Sequence, residues 1–322
     1  MSGDGGRMKL VSIVTPCYNE EENVRALYER VRGIFANLPQ YRYEHLFIDN
    51  ASQDSTVAQL REIAAADKNV KVIVNTRNFG PYRSPAYGTF QAHGDVIIPL
   101  ACDLQDPPEV IPAFLAKWEE GFKIVAAIKT RSEGSFIMRV LRKGYYHVVA
   151  YLSEDNELIK NFTGFGLFDK EVIRLIKSTN DHYPYIRGLI TDMGFPIARV
   201  EYVRLERKRG HSKNNLYDLY NQAMNGITHH SKIPLRLATF VGFYLALVSI
   251  AIGFGYGFYK IVYWDSFTVG IAPIVIGIFF FSGVQLIFLG IIGEYIGAIY
   301  GRLFQRWMVI EKERINFGDD PR

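Results

Sequence analysis

The first part of the chain alternates short apolar runs with segments of helical periodicity. The runs are rich in β-branched residues, which predicts buried strands. Between them, apolar side chains recur every three or four residues, as in Val24, Leu27, Val31 and Phe35, which predicts helices that pack on one face. This alternation predicts an α/β domain with a mostly parallel sheet covered by helices. The predicted strands cover residues 10–15, 44–49, 70–74, 96–100 and 123–128.

The helices between these strands, and the less regular middle of the chain, are predicted from the same periodicities. Amphipathic spacing and turn residues mark the helix boundaries. The predicted helices cover residues 24–38, 56–66, 85–92, a segment from 108 onward, 136–152, 170–177 and 184–193. Two further strands are predicted at 162–168 and 197–207, and residues 216–231 are expected to form an amphipathic helix that lies on a membrane surface.

Two long charge-free runs, residues 237–259 and 268–293, follow this region. Each exceeds the roughly 20 residues that cross a bilayer as a helix, so two transmembrane helices are expected. The alternative is a buried helical hairpin in a soluble protein. Basic residues flank the pair on both outer sides, whereas the link between the runs carries Lys260 opposed by Asp265. The positive-inside rule then places both termini in the cytoplasm.

These patterns divide the chain into four predicted parts. We expect a cytoplasmic α/β domain over 1–213, a juxtamembrane amphipathic helix over 214–234, a transmembrane hairpin over 235–306 and a cytoplasmic tail over 307–322. Glycine recurs at every fourth position in Gly293, Gly297 and Gly301, which favours close helix packing and leaves a homo-oligomer open.

Composition excludes several classes of protein. The 322 residues carry a formal net charge of +4, which is too mild to indicate nucleic-acid binding, and no aromatic-basic RNA signature is present. The two cysteines, Cys17 and Cys102, have no metal-ligand spacing and cannot form a disulfide framework, so a reducing, cytosolic domain is expected. Residues 1–7 lack the apolar core of a signal peptide, and Met8 is a possible native start.

Polar side chains follow four successive predicted strands. Because the carboxyl ends of parallel strands meet at one edge of a sheet, these side chains are expected to converge on one ligand site. A dinucleotide-binding domain is disfavoured, since the first strand–helix turn lacks the glycine-rich fingerprint, and no phosphate-binding P-loop is present. The side chains are Tyr18 and Glu20, then Asp49, then Arg77 and Asn78, and then Asp103.

The fourth of these segments carries the strongest sign of chemistry. The apolar run 96–100 leads into Asp103, Gln105 and Asp106, and Pro107 then ends the strand. Oxygen ligands of this kind suit Mg²⁺ or Mn²⁺, which in turn suit a diphosphate. The alternative is that Asp103 and Asp106 only cap the following helix.

Five motifs together resemble the inverting family 2 glycosyltransferases of GT-A fold, and within them the polyprenyl-phosphate glycosyltransferases. The resemblance covers nearly the whole chain, including the two apolar runs. It implies a nucleotide-sugar donor and a lipid-phosphate acceptor. The motifs are SIVTPCYNEEEN at 12–23, IDNASQDST at 48–56, RNFG at 77–80, DLQDPPE at 103–109 and KRGHSK at 208–213.

The resemblance also implies roles for residues at the donor side. Asp103 and Gln105 would hold the divalent metal against the diphosphate. Two departures stand out: the family usually has two aspartates where this chain has Asp49 and Asn50, and an aspartate where it has Ala101. The second departure removes a carboxylate ligand and puts the metal affinity in doubt. The residues expected to bind the nucleotide sugar are Pro16, Tyr18, Glu20, Asp49 and Asn78.

The acceptor side needs positive charge, because a phosphate monoester is already anionic at neutral pH and requires no strong general base. Arginine forks match phosphate oxygens well. Asp103 could still assist as a base, although metal binding ranks first. Arg142 and Lys143 are equally well explained as binders of anionic lipid headgroups. The residues expected at the lipid phosphate are Arg131, Arg139, Arg209, Ser212 and Lys213, and those expected in catalysis are Asp103, Arg131, Arg139 and Lys213.

The expected function is therefore the inverting transfer of one sugar from a nucleotide sugar to a polyprenyl phosphate at the cytoplasmic face of a bacterial inner membrane. By the resemblance, UDP-glucose and undecaprenyl phosphate are the favoured pair. A GDP-mannose or modified-sugar enzyme stays open, as does a non-catalytic membrane scaffold, which the missing carboxylate at Ala101 favours. A processive polysaccharide synthase is disfavoured, because the chain lacks a pore-forming bundle of spans.

Overall fold

The computed structural model describes residues 7–130, 159, 161–181, 184, 186–204, 233–263, 271–303 and 307–318. The chain divides into two compact units. One unit contains Met1–Ser135, Glu157–Lys213 and Gln305–Arg322, and the other contains Phe136–Asn156 and Asn214–Phe304. The predicted helices at 136–152 and 216–231 lie outside the described residues.

Eight strands form one sheet in the described part of the first unit. Their order across the sheet is β7-β5-β6-β4-β1-β2-β3-β8. The pairs β1–β2, β1–β4, β2–β3 and β5–β7 are parallel, which confirms the predicted α/β class. The strands are β1 (Lys9–Cys17), β2 (Tyr41–Asp49), β3 (Val70–Asn75), β4 (Val96–Pro99), β5 (Ile124–Lys129), β6 (Phe162–Asp169), β7 (Ile197–Tyr202) and β8 (Glu311–Ile315).

Helices connect the strands and cover both faces of the sheet. Apolar residues alternate in direction along each central strand, so Ile13 and Phe47 contribute to one core cluster, while Val14 and Ile48 contribute to the other. This two-sided burial explains why the central strands are continuous apolar runs. The helices of this unit are α1 (Val24–Ala36), α2 (Thr56–Ala66), α3 (Gly80–Phe90), α4 (Ile111–Glu119), α5 (Lys170–Ser178) and α6 (Ile186–Asp192), and a 3₁₀ turn at Pro108–Val110 precedes α4.

Two predicted boundaries differ from the structure. Helix α3 begins at Gly80 rather than at residue 85, because proline is tolerated in the first turn of a helix, where Pro81 lies. Strand β7 ends at Tyr202 rather than at residue 207. The sheet is mostly parallel, as predicted, and the direction of β6, which runs antiparallel between β4 and β5, was not predicted.

Strand β8 was not predicted at all, since residues 307–322 are interpreted from sequence as a tail. It runs antiparallel to β3, with Val72 opposite Ile315 and Val74 opposite Glu313. A bidentate ion pair between Arg61 and Glu313, with N–O distances of 3.2 and 2.6 Å, ties β8 to α2. The Nδ2 group of Asn316 donates to the Val70 carbonyl at 2.8 Å. We call residues 307–318 the C-terminal strap.

The second unit contains two long helices, α7 (Ile233–Val262) and α8 (Ile271–Leu303). Among the described residues, α8 alone is long and apolar enough to qualify as a membrane span, through the window Phe280–Gly297 with a mean hydropathy of 1.5. Both helices expose large apolar side chains, including Phe254 on α7 and Leu286 on α8. Helix α8 is therefore a candidate span by length and composition, and the prediction of two transmembrane helices stays a prediction.

Candidate active site

The polar segments that follow β1, β2 and β3 lie at one edge of the sheet, as the sequence predicted. Cys17 at the end of β1 lies opposite Asp49 at the end of β2, and Asp49 lies opposite Val74 in β3. Strand β4 joins them from the other side of β1, with Pro99 opposite Val14. Parallel pairing in this register brings four loops to the carboxyl edge of the sheet, where ligands of open α/β sheets bind.

The loops after β1 and β2 are joined by hydrogen bonds between backbone and side chain. The Asn19 N–H donates to Ser52 Oγ at 2.8 Å, and the Gln53 N–H donates back to Asn19 Oδ1 at 2.8 Å. The Glu20 N–H donates to Thr56 Oγ1 at 2.9 Å. Asn19 adopts a left-handed φ of 53°, which asparagine tolerates better than most residues. These contacts fix the backbone beside the half-exposed side chains predicted to bind the nucleotide sugar, which are Pro16, Tyr18 and Glu20.

Asp49 is fully buried and supports the loop that follows it. Its two carboxylate oxygens accept hydrogen bonds from the Ser52 N–H at 3.0 Å and from Ser52 Oγ at 2.5 Å. Burial raises the pKa of the Asp49 carboxyl above its usual range, and hydrogen bonds from Ser52 and Ala51 offset part of this rise. In the structure Asp49 stabilises the loop after β2 through Ser52. Its predicted contact with a base or ribose stays a prediction.

Asn50 joins the loops after β2 and β3 through both ends of its amide. Its Nδ2 donates to Asn78 Oδ1 at 2.9 Å and to the Gly80 carbonyl at 3.3 Å. Its Oδ1 accepts from the Phe79 N–H at 2.8 Å and from Asn75 Nδ2 at 3.2 Å. A carboxylate has no hydrogen to donate, so the aspartate that the family usually carries here could not make the two hydrogen bonds that Asn50 Nδ2 donates. Sequence reasoning noted the departure but assigned no role to Asn50, and so missed this one.

The C-terminal strap supports the loop after β3 from outside the sheet. Arg83 on α3 is buried, and its Nε donates to the Met308 carbonyl at 2.9 Å, while its Nη2 donates to the Trp307 carbonyl. The same guanidinium lies 5.2 Å from the ring centroid of Phe79, and Arg77 lies 4.2 Å from that centroid. Two arginines therefore lie against the Phe79 ring, beside Asn78. The strap contacts could not be anticipated from sequence, since the partners lie more than 200 residues apart.

The predicted metal ligands lie in the segment 100–107, which we call the metal loop. Its start is fixed by the Leu100 N–H, which donates to the Val14 carbonyl at 2.8 Å. Asp103 and Gln105 are both half-exposed, and the Gln105 N–H donates to Asp103 Oδ1 at 3.2 Å. No group of three or more histidine, cysteine or acidic residues that could hold a metal occurs within the described ranges. One carboxylate and one amide fit the way Mg²⁺ is usually bound, by one or two carboxylates together with substrate phosphates.

Asp106 has a different role from Asp103, although both are carboxylates of the metal loop. It is buried, and its Oδ1 accepts a hydrogen bond from the Tyr202 hydroxyl at 2.6 Å. Burial and the neighbouring Asp106 raise the pKa of Tyr202, so the hydroxyl stays a donor at neutral pH. The capping alternative is wrong, because neither the 3₁₀ turn at Pro108–Val110 nor α4 has a side-chain cap hydrogen bond.

Cys17 and Cys102 end up side by side at this edge of the sheet. Both are buried free thiols. Burial raises the pKa of the Cys17 thiol, and the contact with Cys102 raises it further. A thiol with a raised pKa is a poor nucleophile and a poor metal ligand at neutral pH, so Cys17 acts as a small core residue.

The acceptor-side residues predicted from sequence lie outside the described residues. This group comprises Arg131, Arg139, Arg209, Ser212 and Lys213, together with Arg142 and Lys143. Their roles therefore stay predictions.

The chain matches a known protein family and several known glycosyltransferases. The family model described as Glycosyl transferase family 2 matches residues 12–176, which include all four loops. The bactoprenol glucosyl transferase of Shigella phage SfV is 36% identical over 296 residues, which cover 90% of this chain and 94% of that protein. An uncharacterized glycosyltransferase of Bacillus subtilis strain 168 is 35% identical over 303 residues, covering 93% of this chain and 92% of that one.

A solved structure, the mannosyltransferase PcManGT from Pyrobaculum calidifontis in complex with GDP-Man and Mn²⁺, aligns with a TM-score of 0.48 and 14% identity. The alignment covers 94% of this chain and 89% of that one. The family model and the relatives are decisive, since the model spans half of the chain and the relatives span nearly all of it. The chain belongs to glycosyl transferase family 2 and is a glycosyltransferase.

Proposed function

We propose that this glycosyltransferase transfers a single glucosyl residue from UDP-glucose to undecaprenyl phosphate, or a closely similar polyprenyl phosphate, with inversion at the anomeric carbon. One observation carries the proposal. The similarity to bactoprenol glucosyl transferases extends over 90% of the chain, and so continues far beyond residue 176, where the family model ends. A shared catalytic domain alone would not produce a match that must also include α7 and part of α8.

The donor half of the reaction is assigned to the four loops at the carboxyl edge of the sheet. Tyr18, Glu20 and Asn78 would contact the nucleotide, on loops that the hydrogen bonds of Asn19 and Asn50 hold in place. Asp103 and Gln105 would hold Mg²⁺ or Mn²⁺. The cation, when bound, neutralises the charge that develops on the departing UDP.

The acceptor half of the reaction requires little proton transfer. An oxygen of the lipid phosphate attacks the anomeric carbon from the side opposite to UDP, the new carbon–oxygen bond forms, and the bond to the UDP oxygen breaks. Because the second pKa of a phosphate monoester is about 6, the nucleophile is already ionised at neutral pH. Arg131, Arg139, Arg209, Ser212 and Lys213 are proposed to position this phosphate.

The membrane topology is part of the proposal. Helices α7 and α8 would both cross the bacterial inner membrane, with the catalytic domain and both termini in the cytoplasm. Basic residues on the outer flanks of the pair support this orientation. They are Lys232 before α7, Arg236 in the first turn of α7, Arg302 at the end of α8, and Arg306, Lys312 and Arg314 after α8. A polyprenyl phosphate cannot leave the bilayer, so an anchored enzyme meets it at high local concentration.

The test is a transfer assay with the full-length protein in nanodiscs. Undecaprenyl phosphate is offered with radiolabelled UDP-glucose, UDP-galactose, UDP-N-acetylglucosamine or GDP-mannose, in Mg²⁺, Mn²⁺ or EDTA. We expect lipid-linked product from UDP-glucose only, lost in EDTA and lost in Asp103→Ala, while Glu120→Ala, an exposed carboxylate at the end of α4, stays active. Product from GDP-mannose instead would replace the donor assignment, and donor binding without product from any pair would support the scaffold alternative.

A further inference from the structure

The metal loop is anchored at its far end by a contact that spans 96 residues of sequence. Asp106 Oδ1 accepts the Tyr202 hydroxyl at 2.6 Å, and the Arg204 Nε lies 3.5 Å from the same oxygen. Asp106 is 5% exposed and Tyr202 is 4% exposed, so this contact is shielded from water. A hydrogen bond from a neutral donor to a buried carboxylate is stronger than one between two neutral groups.

Tyr202 is itself held rigidly from two sides. Its hydroxyl lies 3.2 Å from Thr163 Oγ1 in β6, and its ring packs edge-on against Phe165 at 5.6 Å between centroids. Phe165 packs in turn against Phe114 of α4 at 5.1 Å. Tyr202 therefore offers its hydroxyl from a fixed position at the end of β7.

The backbone between the two ends of the metal loop is in a conformation that needs such anchors. Leu104 has a φ of 58°, in the left-handed region that residues other than glycine rarely adopt. Its side chain packs against the larger core cluster. Backbone conformations of this kind persist only where the surroundings enforce them, and they concentrate at functional sites. Leu104 lies directly between Asp103 and Gln105.

We propose that Asp106 and Tyr202 form a clasp that positions Asp103 and Gln105 for the divalent metal, with Asp106 acting as a positioning residue and not as a ligand. The inference rests on the proposed metal-dependent function. The family usually has a further carboxylate at the position of Ala101. Because this chain lacks that ligand, its metal affinity depends more strongly on the exact positions of Asp103 and Gln105 than it would in a relative with three ligands. Partners behind metal ligands typically change metal affinity by about 10–100-fold when they are removed.

The test measures Mn²⁺ binding directly, by electron paramagnetic resonance of free Mn²⁺, with the full-length protein in detergent and UDP present. Tyr202→Phe removes one hydroxyl and should weaken Mn²⁺ binding about tenfold. Tyr28→Phe is the matched control. Tyr28 is a buried tyrosine on α1 whose hydroxyl donates to Asp67 Oδ2 at 3.1 Å, and it lies outside the metal loop. UDP binding in EDTA and the Tm should stay close to wild type in both variants. Equal Mn²⁺ affinity in Tyr202→Phe and wild type would overturn the clasp.

Variants at Asp106 test the same contact from the other side. Asp106→Asn keeps an oxygen that accepts the tyrosine hydroxyl and should stay within about threefold of wild type, because a neutral hydrogen bond retains part of the energy. Asp106→Ala should match Tyr202→Phe, and the double variant should be no weaker than either, as for two ends of one interaction. If Asp106→Asn binds Mn²⁺ as weakly as Asp106→Ala, the positioning role is wrong, and Asp106 acts as a metal ligand or through its negative charge. Loss of the folded state in Tyr202→Phe would overturn it in favour of a purely structural role.

These outcomes separate the clasp from the proposed function. If the wild type forms no lipid-linked sugar but binds Mn²⁺ with UDP, and Tyr202→Phe still weakens that binding, the clasp stands and the proposed reaction fails. If the wild type is active and its Mn²⁺ affinity does not depend on Tyr202, the reaction stands and the clasp fails.

Discussion

Asn50 Nδ2 and Asn78 Oδ1 lie 2.9 Å apart, and this hydrogen bond joins two of the four loops at the carboxyl edge of the sheet. Because Asn78 Oδ1 also accepts the Gly80 N–H at 2.8 Å, the orientation of the Asn78 amide is fixed from two directions. The acceptor atom of Asn78 is therefore turned toward the protein.

Replacing Asn50 by the aspartate that the family usually carries should weaken the donor site of this chain. Asn50→Asp removes both donated hydrogen bonds and places a negative charge beside two oxygen acceptors. An unpaired buried polar group costs about 1–3 kcal/mol. We expect UDP to bind about tenfold more weakly by isothermal titration calorimetry, with a lower Tm. Asn37→Asp, an exposed asparagine after α1, serves as the control, and unchanged UDP binding in Asn50→Asp would show that Asn78 can reverse its amide without loss.

Acid should destabilise the sheet through His45, which is buried in β2. Burial lowers the pKa of His45 to about 3, against a usual value of 6.5, and its Nε2 lies 3.0 Å from Thr15 Oγ1. Between these two pH values the unfolded chain binds a proton that the folded protein does not, so stability is complete above pH 6.5 and falls as the pH drops. At pH 5 the titration of His45 lowers the free energy of unfolding by about 2 kcal/mol relative to pH 8.

The measurement is the Tm by tryptophan fluorescence in detergent at pH 8 and pH 5. His45→Gln should lose less of its Tm on acidification than the wild type, whereas His93→Gln, which alters an exposed histidine, should behave as the wild type. Equal acid sensitivity of His45→Gln and wild type would assign the effect to carboxylates elsewhere.

Two helical glycines should respond to alanine in opposite directions. A Cβ on Gly88 in α3 would lie 2.9 Å from Ile48 Cγ2 and 3.2 Å from Val14 Cγ1, whereas a Cβ on Gly33 in α1 would meet nothing within 4 Å. Gly88→Ala should therefore lower stability by about 1–3 kcal/mol through overpacking. Gly33→Ala should raise it by about 0.5–1 kcal/mol, because alanine loses less backbone entropy in a helix. Denaturant or thermal unfolding measures both, and a destabilised Gly33→Ala would contradict the packing argument.

The sequence predicted the parts of this fold that local patterns control. The strands around Ile13, Phe47 and Ile98 are buried on both faces, so each is a continuous apolar run with polar residues at its carboxyl end. That regularity was enough to predict the sheet edge that carries the loops of Tyr18, Asp49, Asn78 and Asp103. Apolar runs carry no information on strand direction, however, so the antiparallel insertion of β6 was missed.

What sequence reasoning missed depends on partners that are distant in the chain. Asp106 reads locally as a helix cap, and only the fold reveals Tyr202 as its partner. Strand β8 consists largely of charged residues, and it is a strand because β3 offers it an open edge and Arg61 offers Glu313 an ion pair. No periodicity within five residues can encode either relationship.

The C-terminal strap also imposes an order on biosynthesis. The ribosome makes β3 and the Phe79 loop early, but their covering partners, Trp307, Met308 and β8, follow only after α7 and α8 have been made. Until then β3 is an open edge, and open edges pair with other chains. The sheet therefore reaches its full width only after both apolar helices have been synthesised, so a chain that stops within α8 would carry the Phe79 loop without its outer support.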